Sequence, residues 1–549
     1  LKDGAWSNRI NLNMSGGGTT ARYFVSASYV KEDGMYNTDE SLKDDYNTNA
    51  AYHRWNYRLN TDIDITKTTL LKVGVAGFLS KRNSPGLGDG DVWGELFGYN
   101  PIKTPVMYSN GYIPAIGSGN KTNPWVAATQ TGFNENWTNN IETNISLEQN
   151  FDFITKGLKF VGRFGYDSNN QNTIRRLKWP EQWLAERARD PETGELRWKK
   201  ISGSQNMKQE SSSSGNRREF LDMMLNWDRS FGAHHPSATI KYTQDSYIQT
   251  QNLGEDLKTG INKRNQDLAG RVAYNWNYRY FIDFNFGYNG SERFAEKERF
   301  GFFPSAGISW MASNEKFYPE GLKRVLSKLK IRATYGLMGN DQIGNINDRF
   351  FYLSKVNLNN SGLGMNFGTS LNYNRPGVNI ERYANDKISW ETSHFTNVGL
   401  ELALFDKIEV NVDAYKDKRT NILQGRGIIP ATLGKEADII ANVGEAERYG
   451  VDGDVRYNQA FANSLWIQVQ GNFTFAKSRY LYFEEAERPW MPWGAHKGKP
   501  FDAHWGFVAE RLFIDQYDID NSAKQNFGQR QVMPGDIKFK DMDGDGEIT

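Results

Sequence analysis

The chain has 549 residues, of which 38% are hydrophobic and 14% aromatic, with 66 Lys+Arg against 65 Asp+Glu and no Cys. Its near-neutral charge argues against a nucleic-acid binder, and the missing thiols exclude disulfides, thiolate metal sites and Cys nucleophiles. No apolar run exceeds about four residues, far below the ~20 of a membrane helix; helical spans are excluded, but strands that expose only alternate residues to lipid are not.

The dominant pattern is alternation of period two. From Trp55 the odd positions are Trp55, Tyr57, Leu59, Thr61 and Ile63, and the even ones are Arg54, Asn56, Arg58, Asn60 and Asp62. Successive strand side chains point to opposite faces, so such a segment has one apolar and one polar side. A long connection is expected over 83–138, carrying Trp93, Phe97, Tyr99, Trp125 and Trp137. Its glycines at Gly86, Gly88 and Gly90, and at Gly117 and Gly119 before Lys121, lack phosphate-loop spacing with a strand before and a helix after, and read as turn glycines. Alternation returns over 141–148, with Glu142 and Glu148 on the polar side. A second long connection is expected over 172–216. Within it, PEQWLAERAR (180–189) reads as a short surface helix with Pro180 near its start, and Ser211–Ser214 as a flexible loop tip.

The paired His234 and His235 precede Pro236 and read as a turn. Near Arg271 one face carries Val272, Tyr274, Trp276, Tyr280, Ile282, Phe284 and Tyr288, the other Ala273, Asn275, Asp283 and Asn285, with a turn over 277–279. A tight Asp406-Lys407 turn precedes further alternation over 408–413, and another such stretch covers 465–475. A third long connection over 484–501 carries Trp490 and Trp493. About sixteen to nineteen segments of this kind are expected, many about a dozen residues long, as strands crossing a tilted ~25 Å apolar band must be. Short turns alternating with long connections are the asymmetry of outer-membrane barrels. The fold class is therefore all-β, an antiparallel up-and-down transmembrane barrel.

Three sets of residues carry candidate chemistry. Asp541, Asp543 and Asp545, with Gly546 and Ile548, match the first part of an EF-hand-type loop, to which Glu547 would add its carbonyl; the alternative is an Asp/Gly turn without Ca2+. The loop tryptophans Trp93, Trp125, Trp490 and Trp493 offer faces for sugar rings or peptides; the alternative is a loop mini-core or the interfacial girdle. Charges such as Asp62, Asp64, Glu142, Glu148 and Arg271 line the polar face, as a water-filled wall or as contacts for a plug or solute. No histidine pair has metal-ligand spacing, and no nucleophile elbow is present.

An ordered set of motifs carries a family resemblance: GFFPSAGISWMASNEKF (301–317), KLKIRATYGLMGNDQIG (328–344), WETSHFTNVGLELALF (390–405), VNVDAYKDKRTNIL (410–423), NVGEAERYG (442–450), GNFTFAKS (471–478) and PGDIKFKDMDGDGEI (534–548). Together they resemble the SusC/RagA family of TonB-dependent outer-membrane transporters of Bacteroidota. Met533 before Pro534-Gly535, where the family commonly has Arg, departs from the pattern, as does the stretch from His504 to Phe507. The resemblance implies a barrel of about 22 strands when complete. It also implies that residues 1–549 are an incomplete barrel domain, with the signal peptide, energy-coupling box and plug before Leu1 and the last strands after Thr549.

What the resemblance implies for function is energy-coupled import of a large nutrient, an oligosaccharide before a peptide, with no bond chemistry and no required cofactor. The partners it implies are a SusD-like surface lipoprotein lid, the TonB complex acting through the missing N-terminal region, outer-membrane lipid and a second transporter–lid unit. A passive porin-like barrel and a soluble β-rich polysaccharide enzyme are the alternatives; the latter lacks a paired-carboxylate constellation.

Overall fold

The computed structural model describes residues 1–38, 46–100, 102, 104–115, 123–254, 257–343, 349–462, 464–525, 528 and 531–548. The Gly117–Lys121 stretch lies outside them. The chain forms two compact units, Leu1–Arg229 with Ala238–Leu268, and Ser230–Ser237 with Ala269–Thr549.

In the first unit the strands are β1 (Ser7–Gly17), β2 (Ala21–Asp33), β3 (Ala51–Asp64), β4 (Thr69–Pro85), a two-residue β5 (Ile113–Pro114), β6 (Gly132–Asn150), β7 (Leu158–Arg189), β8 (Leu196–Asp228) and most of β9 (His234–Gln251). From β1 to β4, on to β6 and through β8, each long strand pairs antiparallel with the next. Their links alternate between tight turns at 18–20, 65–68 and 151–157 and longer excursions at 34–50 and 86–131. The 86–131 excursion holds α1 (Asp89–Gly98) and α2 (Pro124–Thr129). The carboxamide of Asn123 caps α2 by accepting the Val126 N–H at 2.8 Å, with Pro124 in the first turn, which satisfies a donor that the helix itself leaves open.

In the second unit the strands are most of β10 (Lys263–Trp276), then β11 (Tyr280–Ser291), β12 (Phe300–Met311), β13 (Leu326–Asn340), β14 (Lys355–Phe367), β15 (Tyr373–Arg382), β16 (Glu391–Leu404), β17 (Ile408–Gly425), β18 (Ile440–Ala460) and β19 (Trp466–Tyr482). From β11 to β13 and from β16 to β19, neighbours pair antiparallel, with β13 against β16. Between β13 and β16, β14 and β15 form a two-stranded sheet of their own. After β19 the strands among the described residues are the short β20 (Ala509–Leu512), β21 (Lys524–Gln525), β22 (Ile537–Phe539) and β23 (Glu547–Ile548). Among the described residues eighteen strands run ten residues or longer, within the expected range.

The alternation is realised residue by residue. In β11, Ile282 and Phe284 are 55% and 45% exposed, while the intervening Asp283 is half-buried and bonded to Arg271 at 2.5 Å. Trp55 and Tyr57 of β3 are likewise exposed on either side of the half-buried Asn56, whereas β1 and residues 466–477 of β19 are exposed on both faces, so there residue type alone separates the apolar from the polar side. The polar sides carry ion pairs instead. Glu148 lies between Lys72 (2.6 Å) and Lys159 (2.5 Å) in the first unit. In the second, Glu401 lies beside Lys328 (2.7 Å) and Lys330 (3.1 Å). Apolar strand faces left open to the medium would drive association in water; acyl chains solvate them without that penalty. Some glycines are fixed by the neighbouring strand. Gly450 faces Tyr415, and a Cβ there would stand 2.7 Å from the tyrosine hydroxyl, an aromatic side chain covering the gap that glycine leaves.

Five local readings of the sequence are corrected. Residues 180–189 are not a helix: they continue β7, pairing Trp183 with Lys200 and Ala185 with Trp198 of β8, while β5 pairs parallel on the other side through Ile113 and Gln182. Pairing on both edges overrides a local helical pattern. Pro180 falls among register shifts, where its missing N–H breaks no regular ladder. Ser211–Ser214 is not a loop tip either, since it lies in β8 opposite Ile174, Thr173, Asn172 and Gln171. The 172–216 connection is thus a hairpin whose turn spans 190–195, where Asp190 accepts the N–H groups of Glu192 (2.9 Å) and Thr193 (3.1 Å). A helix does follow Gly88, although its first turn carries Asp89 and Asp91, which would repel an anion. Only His234 borders the turn, its N–H closing onto the Phe231 carbonyl at 3.1 Å, while His235 already lies within β9.

Tight turns fall where expected, one of them shifted by one residue. Asn277 and Tyr278 take φ of 50° and 52° in the β10–β11 turn. In the β16–β17 turn the left-handed pair is Phe405 and Asp406, both at 54°, and the Lys407 N–H returns to the Leu404 carbonyl at 3.0 Å. Two successive left-handed residues give the twist that a two-residue hairpin needs.

The face assignment is testable with neighbouring substitutions. Ile282→Arg puts a charge on the apolar side of β11 and should destabilise the folded protein in lipid more than the neighbouring substitution, by up to about 2–4 kcal/mol, the cost of a charge at midplane. Asp283→Asn removes only a partly solvated ion pair and should cost less than about 1 kcal/mol. Heat-modifiable mobility after refolding into bilayers reads both; the opposite ranking would reverse the faces.

Candidate functional site

The ends of β17 and β19 enclose a cavity of about 1070 Å³ lined by Arg426, Tyr482, Glu484, Glu485, Met491 and His496. The two strand ends are locked together there. Arg426 donates to Glu484 at 2.5 Å, and the Glu484 carboxylate is almost wholly enclosed, with a side-chain exposure of 2%. The Glu484 N–H is taken up by the Gln424 side chain at 3.2 Å. Gly427 lies so close that a Cβ would stand 2.5 Å from the Glu484 carbonyl oxygen. Gly427 therefore allows an approach beside Arg426 that a side chain would block, whereas Gly425 has open space around it.

The next carboxylate shapes the return loop. Glu485 accepts the His496 backbone N–H and ring Nδ1–H, each at 2.8 Å. The His496 ring stacks on Phe483 with centroids 4.4 Å apart and meets Trp505 at 5.4 Å. Burial alone would raise the Glu485 carboxyl, but the His496 side-chain and backbone donors hold it below the ordinary carboxylate range. The cavity therefore combines a tightly paired charged floor with an apolar flank of Ile428, Ile429, Pro489 and Met491.

Of the four candidate loop tryptophans, two belong to this neighbourhood. Trp490 is 66% exposed, and half-buried Trp493 lies in a single 3-10 turn over Pro492–Gly494; both alternate with cavity residues. Trp93 and Trp125 belong to the first unit and lie on α1 and α2. There the helices pack around Tyr36, Val92, Ala127 and Ala128, so this excursion forms a small core. Burial and the neighbouring Asp89 push the Tyr36 hydroxyl up to about 12. Tyr112 stacks on Trp183 at 4.4 Å and meets Trp198 edge-on at 5.6 Å, so those rings clamp the excursion onto β7 and β8.

A separate cavity of about 890 Å³ lies along the polar faces of β3, β4, β6 and β7, among Arg58, Asp62, Lys72, Glu142, Glu148 and Arg163. It is the charged wall expected of the polar side. In the C-terminal segment, Asp541, Asp543 and Asp545 each offer a carboxylate oxygen within 4.8 Å of the others. Asp541 accepts the Gly544 and Gly546 N–H groups at 2.7 and 2.9 Å, and those donors, Gly546 first, hold its carboxyl below the ordinary range. Glu547 turns its N–H toward Asp545 at 2.8 Å. The three oxygens, with loop carbonyls, are the ligand type a hard cation takes.

Sequence reading missed the Arg426–Glu484 lock because its partners lie 58 residues apart. The only local trace was an acidic pair directly after a strand and a cation between two glycines. A pH response follows from Glu485. Its folded-state value is depressed, so its contribution to loop stability is complete above its ordinary value of 4.5 and is lost as pH falls through the lower folded value. Protease protection of the 484–501 loop should fall on acidification below 4.5, and Glu485→Gln should flatten that profile; an unchanged profile in the variant would remove Glu485 from the loop's stability.

Comparisons with known proteins agree with this architecture. Residues 79–527 match the family model described as TonB dependent receptor-like, beta-barrel. TonB-dependent receptor P3 of Formosa agariphila is 24% identical over the whole chain, which covers 53% of that protein. TonB-dependent receptor SusC of Bacteroides thetaiotaomicron is 28% identical over 42% of the chain and 22% of its own length. The chain thus spans about half the length of the first curated relative or less of these proteins. Among solved structures, the RagAB peptide importer in its closed-closed state aligns with a TM-score of 0.63 at 17% identity, covering 97% of this chain and 57% of that one, a likeness of fold. The exposed apolar strand faces, the charged opposite faces and the match over most of the chain place it in the TonB-dependent receptor-like β-barrel family of the outer membrane, with SusC/RagA-type relatives.

Proposed function

We propose that the protein imports a large nutrient, an oligosaccharide, across the outer membrane with energy delivered by a TonB complex. A SusD-like surface lipoprotein acts as the lid in this reading. The observation that carries it is membership of the TonB-dependent receptor-like β-barrel family over residues 79–527. The kind of solute is supported by the segment next to the 1070 Å³ cavity, where the exposed Trp490 and half-buried Trp493 alternate with the residues that line it. Flat aromatic faces next to hydrogen-bonding groups suit sugar rings. The named peptide transport of RagAB makes peptide the competing cargo.

The full-length protein should take up oligosaccharide only when the inner-membrane proton gradient and TonB are intact. The Trp490→Ala, Trp493→Ala double variant should weaken oligosaccharide binding about tenfold, or ~1.4 kcal/mol, with barrel assembly unchanged. Uptake that continues after TonB is removed would make the protein a passive pore. Binding of peptide but no oligosaccharide would replace the cargo.

We also assign a Ca2+-type role to the Asp541–Asp543–Asp545 loop of the full-length protein. Calcium titration should register a site that Asp543→Asn weakens by at least about tenfold, since one of three carboxylates is lost. An identical titration for the variant would leave the loop a turn held by Asp541 alone.

A further inference from the structure

On the apolar side of β16–β19 the side chains change character within one step along the strands. Val398, Ala414, Val451 and Phe475 stand in register across the four strands, and Val398, Val451 and Phe475 are exposed. Two residues further on, the same face carries Thr396, Lys416, Tyr449 and Lys477, and after another two His394, Lys418, Glu447 and Arg479. The tight connections at 405–407 and 461–465 lie at the opposite end of these strands, and the longer 426–439 connection lies at this one, so the change falls on the extracellular side. From Ile408 to Lys416 the strand runs about 26 Å at ~3.3 Å per residue, close to the ~25 Å height of an apolar band.

The cations gather around an enclosed carboxylate. The Glu447 side chain is 5% exposed and lies 2.5 Å from Arg479 and 3.2 Å from Lys416. Lys418 pairs with Glu445 at 3.0 Å. Among the described residues no carboxylate pairs with Lys477, whose ammonium lies 5.7 Å over the Phe475 ring. Four cations therefore meet two carboxylates. Although paired, the Lys416 and Arg479 side chains stay 60% and 53% exposed, so their remaining donors are open to a further anion. Beside Lys418, His394 Nδ1 and the Tyr335 hydroxyl share a hydrogen bond of 3.1 Å.

Position and charge together identify what covers this surface. The side chains one step nearer the tight turns face acyl chains, so the molecules bordering the cluster are lipids. A lipid bears its phosphate where its acyl chains begin, and cations placed at that level attract it. Ammonium and guanidinium groups are the donors that hold phosphate most strongly. We propose that Lys416, Lys418, Lys477 and Arg479 bind the phosphate of an outer-leaflet lipid headgroup, whose acyl chains lie along Val451 and Phe475. Glu447 is a positioning residue that fixes Lys416 and Arg479 beside each other. Tyr449, between Lys416 and Lys477, places its ring at headgroup level, where tyrosine is favoured. The inference depends on the outer-membrane location and on neither the cargo nor the lid.

The test uses the full-length protein and two lipids that differ only in charge: lipid A, a phosphorylated glucosamine lipid, and its dephosphorylated form. Native mass spectrometry should show wild type binding the phosphorylated lipid at least about tenfold more tightly. Lys418→Gln with Lys477→Gln leaves both Glu447 pairs in place and should abolish most of that preference, with heat-modifiable mobility unchanged. Equal binding of the two lipids by wild type, or an undiminished preference in the variant, overturns the assignment. Inorganic phosphate that binds as tightly as the phosphorylated lipid would make this a site for a soluble anion and overturn it too. A photo-crosslinking residue at position 449 in the otherwise unchanged protein, in bilayers containing lipid A, keeps the inference refutable if the double variant fails to assemble. An adduct with lipid A supports it; an adduct with protein, or with the other lipids alone, overturns it.

Discussion

Cross-strand hydrogen bonding in a medium without water is the constraint from which the rest follows. A peptide group in hydrocarbon has no solvent partner, so each membrane strand must find its donors and acceptors on its neighbours. The long antiparallel ladders of both units meet that demand, from β1 against β2 to β18 against β19. Once the backbone is satisfied, side chains are free to differ by face. The apolar set stays open to lipid, as at Ile282 and Phe284, and the charged set pairs within itself, as at Glu148 and Glu401.

Away from the membrane the same ladders continue under a different rule. At 32 and 33 residues, β7 and β8 would run about 105 Å at ~3.3 Å per residue, several times a ~25 Å apolar band. Their outer stretches need no lipid-facing side: the serine run of β8 and the 180–189 segment of β7 are held by backbone pairing, by salt links such as Lys200 with Glu181 at 2.6 Å, and by Trp183 stacked on Tyr112. Wherever the backbone ladder is complete, side-chain pattern ceases to dictate structure.

That division explains what could be read in the sequence. Strands in contact with lipid announce themselves, because a register error of one residue would turn Ile282 inward and Asp283 outward. The turns at 277–278 and 405–406 were visible because so few residues link the alternating segments. Residues 180–189 misled because their helix-like spacing is local, whereas the pairings with β8 and β5 that make them a strand are remote. The cavity was illegible for the same reason: Arg426 and Glu484 meet only after two strands have been laid side by side. The tryptophans were found by type, but nothing in the chain order separated Trp490, beside the cavity, from Trp93, on a helix of a small loop core.

The loop between β17 and β18 has two attachments, the Ile380 N–H of β15 and the cavity wall through Lys435 and Asp438. Two ligands that engage opposite sides of one short segment share its conformational free energy. Whatever factor a contact on one side of the segment imposes on the other must be returned unchanged in the opposite direction. That coupling energy is stored in a segment of fewer than about fifteen residues, within the span of an ordinary connecting loop.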